Sequence, residues 1–301
     1  MTFDISGEAR YVTDGGLETD LIYHHGLDLP GFASFPLLEH ATGRDHLTSY
    51  YDGYAAIADR AGAGLLLESP TWRANPDWGA TLGYDPAALD RINRTAIEFL
   101  RQFRQRWTGI DHVALSGVIG PRGDGYVAGE RPETAEAARY HRPQIEAFAA
   151  AGADLAHAMT MTTAAEAAGI VRAARDAGLP VAISFTVETD GRLPDGTALG
   201  AAIDETADAG PVAYFGVNCA HPDHIAHGLD ASATRMIAAL RPNASRLTHA
   251  ELDAAEELDE GDIPDLRVTL DSIRRDLPAL RIVGGCCGTD ARHVAALWDA
   301  R

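Results

Sequence analysis

The three cysteines of this 301-residue chain are Cys219, Cys286 and Cys287. Two are adjacent and bracketed by glycine, in Gly284-Gly285-Cys286-Cys287-Gly288. The third lies in Gly216-Val217-Asn218-Cys219-Ala220-His221-Pro222. Thiolates are nucleophiles and soft metal ligands. Adjacent side chains on an extended strand point to opposite faces, so Cys286 and Cys287 serve one ion only if the backbone bends. The flanking glycines allow such a bend, because glycine adopts backbone angles other residues avoid. Three protein thiolates with a fourth position open is the arrangement of a catalytic zinc site; four closed ligands mark a structural one. On residue types alone, buried inert thiols remain an alternative. So does a mixed site using His221 or His224, although both are read as lying outside the ligand set. An odd, small cysteine count argues against a disulfide framework.

Elements able to carry these residues recur along the chain. Short aliphatic or β-branched runs are expected as strands at 10–14, 64–69, 112–120, 154–161, 180–187, 214–220, 237–242 and 280–287. Between them lie stretches with helical spacing: 45–62, capped by Asp45 and stopped by Gly62; 87–107; 134–151, with a capping start at Thr134; and 164–177, stopped by Gly178 ahead of Pro180. Strands alternating with helices predict a parallel sheet. Eight such units in a chain of this length predict a closed (β/α)₈ TIM barrel, with residues 1–301 as one domain. An open α/β sheet is the runner-up, but no G-x-G-x-x-G turn follows the first strand. In a barrel, active sites sit at the carboxyl ends of the strands. Asp14-Gly15-Gly16, Ser69-Pro70-Thr71, Asn218-Cys219 and Gly285-Cys286-Cys287 all fall at expected strand ends.

Charge narrows the partners. A net charge of −19 is opposite to the basic footprint that binds nucleic acid, and an acidic membrane surface would repel it. No apolar run reaches the ~20 residues that span a bilayer. The segment Met1–Arg10 carries no basic or apolar region of a signal peptide, so a cytoplasmic location is expected. The acid-rich stretch 251–262 reads as a solvated face or loop, since it lacks the spacing of a calcium loop.

These motifs resemble the homocysteine S-methyltransferase family, including its betaine- and S-methylmethionine-dependent members, over nearly the whole chain. DGGLETDL at 14–21 is similar to the family's opening turn, SGVIGP at 116–121 to its middle-strand motif, and SFTVETDGRLPDGTAL at 184–199 to a further signature. GVNC at 216–219 and GGCCGT at 284–289 resemble its two metal-ligand motifs, in order and separation. The resemblance implies Zn²⁺ held by Cys219, Cys286 and Cys287, with the acceptor sulfur in the open position. It also implies a pocket lined by Asp14, Gly15, Gly16, Thr71, Trp72 and Asn218, and by Asn243 in a string similar to the family's "YPNSG". The implied activity is S-methyl transfer from a small sulfonium or ammonium donor to a zinc-bound thiol. A coordinating metal deprotonates a thiol, whose free form is mostly protonated at neutral pH. Trp72 and Trp78 could hold a cationic donor through their ring faces. Whether the chain forms a homo-oligomer is left open.

The chain departs from the family at two points. A "FETIP"-like string, whose Glu grips the amino group of homocysteine, aligns with Ala158-Met159-Thr160-Met161-Thr162, so the Glu becomes Met159. Thioether sulfur is a weak acceptor. Where relatives carry Gln or Tyr, this chain has Arg73. These changes predict an acceptor without an α-amino group, such as a mercapto acid whose carboxylate meets Arg73, unless Glu68 or Glu188 takes the missing role. The alternative from another class is a catalytically silent barrel that binds zinc or a thiol as sensor or carrier. A zinc hydrolase or lyase is disfavoured, because three thiolates make the metal electron-rich.

Overall fold

The computed structural model describes residues 7–129 and 131–300. Six residues of the expected signal-free segment Met1–Arg10 therefore lie outside the described residues. Eight parallel strands close into a barrel in sequence order. They are β1 (Tyr11–Val12), β2 (Gly64–Glu68), β3 (Val113–Ile119), β4 (Leu155–Met161), β5 (Val181–Phe185), β6 (Phe215–Asn218), β7 (Ile237–Arg241) and β8 (Ile282–Val283). All eight expected strands are present, and the closed TIM barrel, not the open sheet, is the fold.

The strand bounds are shorter than the apolar runs that announced them, most of all at β1 and β8. The lost residues are the carboxyl-end loops. Past Val283 the Gly284 N–H still reaches Leu240 O on β7 (3.1 Å), but the next N–H, of Gly285, turns to Asp14 O (2.8 Å). Helices Thr134–Ala151 and Ala164–Ala177 have the expected bounds, each closed by a left-handed glycine, Gly152 and Gly178. Thr134 is not the cap of the first: Glu133 precedes it and makes no side-chain cap bond. The helix expected from Asp45 starts four residues earlier, at Ala41, without a side-chain cap. Its start is set instead by packing on the 3₁₀ turn Phe35–Glu39, whose Phe35 and Leu38 are buried.

Inside the barrel, the base is filled by Tyr11, Leu66, Leu155, Tyr214 and Ile282 against the small Ala114, Ala182, Ala238 and Ala239. Large and small residues fit together round the ring, so the interior is a packed core and not a pore. Nearer the carboxyl ends the filling turns polar. His157 on β4 bridges Glu68 Oε1 on β2 (2.8 Å) and Ser184 Oγ on β5 (2.7 Å). Arg241 on β7 reaches Asp14 (2.7 Å) and lies 3.8 Å from Glu68. Outside the barrel, helix and strand faces pack through Ile97, Phe148, Ile170, Val171, Ile203 and Leu270 on one side and Tyr51, Leu65, Ala96 and Leu100 on the other.

Gly117 on β3 sits directly under the Phe148 ring, where a Cβ would overlap ring carbons. Overpacking of this kind costs about 1–3 kcal/mol. Gly117→Ala is expected to lower the unfolding free energy by that amount, read as a lower urea midpoint with an unchanged slope. An unaltered midpoint would show that the helix Thr134–Ala151 shifts without cost.

Candidate metal centre

The barrel brings the cysteines together from two strand ends separated by β7. Cys219 follows β6; Cys286 and Cys287 follow β8. One sulfur from each lies within 4.8 Å of the other two. Cys219 Sγ is 3.9 Å from Cys287 Sγ, and Cys219 and Cys286 are joined as a disulfide with their Cα atoms 5.3 Å apart. The expectation of three free thiols is therefore corrected: the sequence has no disulfide framework, yet two of these sulfurs are bonded. Sulfurs close enough to surround one ion are close enough to bond each other. Cys287 remains a free thiol. Tetrahedral bonds of 2.3 Å to one ion would place sulfurs about 3.8 Å apart, near the Cys219–Cys287 separation. Three soft donors in that arrangement fit a thiophilic divalent ion once the disulfide is reduced. No histidine joins the set among the described residues. His221 instead caps the helix Pro222–Gly228 through Nδ1, and His224 lies beside it.

The backbone that presents these sulfurs is held against its preferences. Cys219 has φ +57°, a left-handed conformation that non-glycine residues seldom adopt. Its N–H donates to Arg241 O (3.1 Å). Its carbonyl accepts from His249 Nε2 (2.8 Å), Asn243 Nδ2 (3.1 Å) and Thr186 Oγ1 (3.3 Å). On the other arm, Cys286 N–H donates to Pro242 O (2.8 Å), and Cys287 O accepts from Ala244 N–H (3.2 Å). Gly284 and Gly285 do not use left-handed angles; only Gly288 does, at φ +76°. They are glycines because a Cβ at Gly284 would meet Asp14 O and Thr13, and one at Gly285 would meet Thr289. Close approach, not backbone freedom, explains the bracket.

Two contiguous cavities open on the sulfurs. The inner, about 70 Å³, is lined by Asp14, Gly15, Gly16, Glu18, Glu68, Trp72, Met159, Thr160, Asn218 and all three cysteines, among others. The outer, about 310 Å³, is lined by Arg73, Asp124, Tyr126, Asp253, Glu257, Asp259, Cys219 and Cys287, and shares the Trp72 wall. Of the residues singled out in the sequence, Asp14, Gly15, Gly16, Trp72, Met159 and Asn218 face the inner cavity, and Arg73 the outer. Thr71 faces neither: it is fully buried, and its hydroxyl donates to Val118 O (2.7 Å). Asn243 holds the Cys219 carbonyl instead of lining a wall. Asn218 is committed to Thr160, accepting from its N–H and donating to its Oγ1, both at 2.7 Å. This clamp fixes another left-handed residue, Thr160 (φ +60°), at an irregularity in β4 beside Met159 on the cavity wall. The faces of Trp72 and Trp78 carry the protein's own cation: the Arg73 guanidinium lies 4.2 and 3.8 Å from their ring centres. The acid-rich stretch 251–262 is not wholly a solvated loop, since Asp253, Glu257 and Asp259 face the outer cavity.

Sequence reasoning missed Glu18, Tyr126, Arg241 and His249. Glu18 lies inside the DGGLETDL motif, and a carboxylate two residues after Gly16 is the available signal. The others had none, because their relevance comes only from folding. Tyr126 stacks flat on His249 (4.2 Å, 10°), and its hydroxyl meets the Cys287 sulfur. Burial pushes the Cys287 thiol up, as it does the Tyr126 phenol. Burial works against the charge on Glu68, but His157 and Arg241 outweigh it and hold the carboxyl below its usual range. Burial lowers Arg73 to about 10.

A family model described as homocysteine S-methyltransferase matches residues 11–301. A homocysteine S-methyltransferase of Escherichia coli strain K12 is 27% identical over 266 residues, covering 79% of this chain and 80% of that protein. Crystal structures of the homocysteine methyltransferase MmuM from Escherichia coli share the fold. The oxidized form has a TM-score of 0.73 at 20% identity, and the metallated form 0.73 at 21%; each alignment covers 98% of this chain and 97% of the other.

Two outcomes follow for this centre. Burial, with Arg246 and His224 nearby, lowers His221 to about 4. A neutral ring is needed, because Nδ1 accepts the Asp223 N–H (3.2 Å). The folded value lies below the unfolded value of about 6.5, so the unfolded chain binds more protons between the two. Stability is full above about pH 6.5 and is lost as pH falls toward 4. The loss reaches up to about 3 kcal/mol in metal-free protein by chemical denaturation at stepped pH; His221→Gln is expected to flatten that slope. Separately, Cys287→Ser, which leaves two sulfurs, is expected to lose stoichiometric bound metal in reduced protein, measured by elemental analysis. Full metal retention would place the ion elsewhere.

Proposed function

We propose, for a chain that belongs to the homocysteine S-methyltransferase family, that it is a zinc-dependent enzyme moving a methyl group from a small onium donor to a metal-held thiol. One observation carries this reading: three sulfurs from two distant strand ends lie within 4.8 Å and face an open cavity. Cys219, Cys286 and Cys287 would hold the ion, and residues 1–301 would act as one catalytic domain. When bound, zinc would keep the acceptor sulfur as a thiolate, the form that attacks carbon.

The chain's residues divide the remaining work. Asn218 and Thr160 fix the wall of the inner cavity beside Cys286, with Asn218 Nδ2 3.8 Å from its sulfur. Tyr126 and Trp72 close the side toward the outer cavity. That outer cavity carries Asp124, Asp253, Glu257 and Asp259 against one cation, Arg73. An acid-rich mouth concentrates cationic ligands, which supports a sulfonium or ammonium donor. The donor's positive charge already makes a good leaving group, so no strong acid is required. The partners are thus two small molecules, and no helix of the described residues is long and apolar enough to cross a membrane. A cytoplasmic location remains part of this proposal.

The test is methyl transfer from a labelled methylsulfonium donor to a thiol, with protein reduced and then loaded with zinc. Oxidised protein is expected to bind no zinc and transfer nothing, and reduction before loading is expected to restore both. Binding of zinc and thiol without transfer would favour the silent sensor or carrier. Transfer that survives complete metal removal would sink the proposal.

A further inference from the structure

The three cysteines do not meet the two cavities alike. Cys286 borders the inner one alone, and Asn218 Nδ2 donates to its sulfur (3.8 Å). Cys219 borders both but is only 5% exposed. Cys287 also borders both and is partly exposed, so it is the more open cysteine on the acid-lined outer wall. At its sulfur stands the Tyr126 hydroxyl. The Asn243 amide meets the same phenol oxygen, which leaves the O–H to donate to sulfur. Tyr126 is held in that place. Its backbone N–H donates to Asp124 Oδ1 (2.6 Å). Its ring stacks on His249, which is fixed at both nitrogens: Nδ1 against Glu188 Oε1 and Nε2 against Cys219 O, each at 2.8 Å. The preceding Gly125 passes against Trp72, where a Cβ would lie 2.9 Å from a ring carbon.

We propose that Tyr126 is a positioning residue that shields Cys287 from methylation, so that the methyl group goes to the acceptor sulfur; this rests on the metal–thiolate reading above. In that reading four thiolates stand beside one onium donor, and only one of them should react. A bare Cys287 thiolate facing the donor would attack its methyl carbon. A carbon–sulfur bond forms, the bond from methyl to the onium atom breaks, and its electron pair leaves with the neutral remainder of the donor. The product is S-methylcysteine, and only two protein thiolates are left for the ion. A hydrogen bond to a thiolate stabilises its charge and lowers its basicity, and nucleophilicity falls with basicity. The Tyr126 hydroxyl therefore slows attack by Cys287 without removing it from the ligand set. Asn218 offers Cys286 a longer version of the same bond, and burial covers Cys219. Because the Tyr126 ring rests on His249, the shield of one cysteine is anchored on the carbonyl of another.

The experiment exposes reduced, zinc-loaded protein, without acceptor, to a methylsulfonium donor and, in a second arm, to methyl iodide. Methylation of each cysteine is followed by peptide mass mapping, with zinc release measured alongside. Tyr126→Phe keeps the ring and removes only the hydroxyl. It is expected to raise the rate of Cys287 methylation about three- to tenfold over wild type, with Cys219 and Cys286 unchanged and zinc lost in step. His249→Gln, which removes the stacking partner and keeps an amide for the Cys219 carbonyl, should raise the same rate, and it decides the matter where Tyr126→Phe misfolds. Equal Cys287 rates in wild type and variant overturn the shield. So does slower transfer to an added thiol with Cys287 unmodified, which would place Tyr126 in the transfer step itself. Reduced wild type that holds no zinc overturns the metal–thiolate reading, and the shield with it. Wild type that holds zinc but methylates no added thiol overturns the proposed reaction alone, because the methyl iodide arm still decides the shield.

Discussion

Consecutive carbonyls at the end of β7 hold both arms of the sulfur centre. Arg241 O takes the Cys219 N–H, and Pro242 O takes the Cys286 N–H. Because β7 lies between β6 and β8, these two bonds set the spacing of sulfurs 67 residues apart in sequence. Cys219 makes the first bond from a left-handed conformation, at a cost of about 1–2 kcal/mol. Three side-chain donors on the Cys219 carbonyl offset that cost; each such bond contributes roughly 1 kcal/mol. Sulfur placement thus rests on a strained backbone held by several hydrogen bonds.

The same strand end links the centre to the barrel interior. Below its carbonyl, the Arg241 side chain donates to Thr13, Asp14 and the Gly15 carbonyl, and lies near Glu68. Glu68 continues through His157 to Ser184. This buried layer spans β1, β2, β4, β5 and β7, and it fixes the Asp14 loop whose carbonyl receives the Gly285 N–H. A buried network of this kind is weak evidence for stability, since desolvation opposes it. Its geometric role is clearer: each member is tied to a different strand, so the loops on top share one rigid floor.

The sequence made the fold legible because a barrel's signal is repetition: eight apolar runs at regular spacing have few other packings. It made the sulfur cluster legible because the cysteines are few and lie at strand ends. What it hid was whatever depends on a neighbour remote in sequence. Thr71 sat in a strand-end motif, yet its hydroxyl serves the β2–β3 junction. Trp78 suggested a cation site, yet the cation is Arg73. The glycine bracket suggested a flexible turn, yet Gly284 and Gly285 mark contact with Asp14 and Thr289. The disulfide was hidden for a different reason: cysteine number argues about frameworks, whereas pairing follows distance, and distance appears only once β6 and β8 are assembled.

The division into two cavities gives the arrangement a direction. The inner space is small, and Asp14, Glu68 and Arg241 on its wall are held in ion pairs, so it suits the small thiol proposed above. The outer space is larger and acid-lined, so it suits the cationic donor proposed above. Trp72, Thr160, Cys219 and Cys287 belong to both walls. In the reaction proposed above, a methyl group crossing there would move from the acid-lined side to the sulfur side. The thiolate would neutralise the onium charge in that step, and the neutral product would lose its attraction to Asp124, Asp253, Glu257 and Asp259. The electrostatics that favour entry of the donor therefore also favour release of what remains of it.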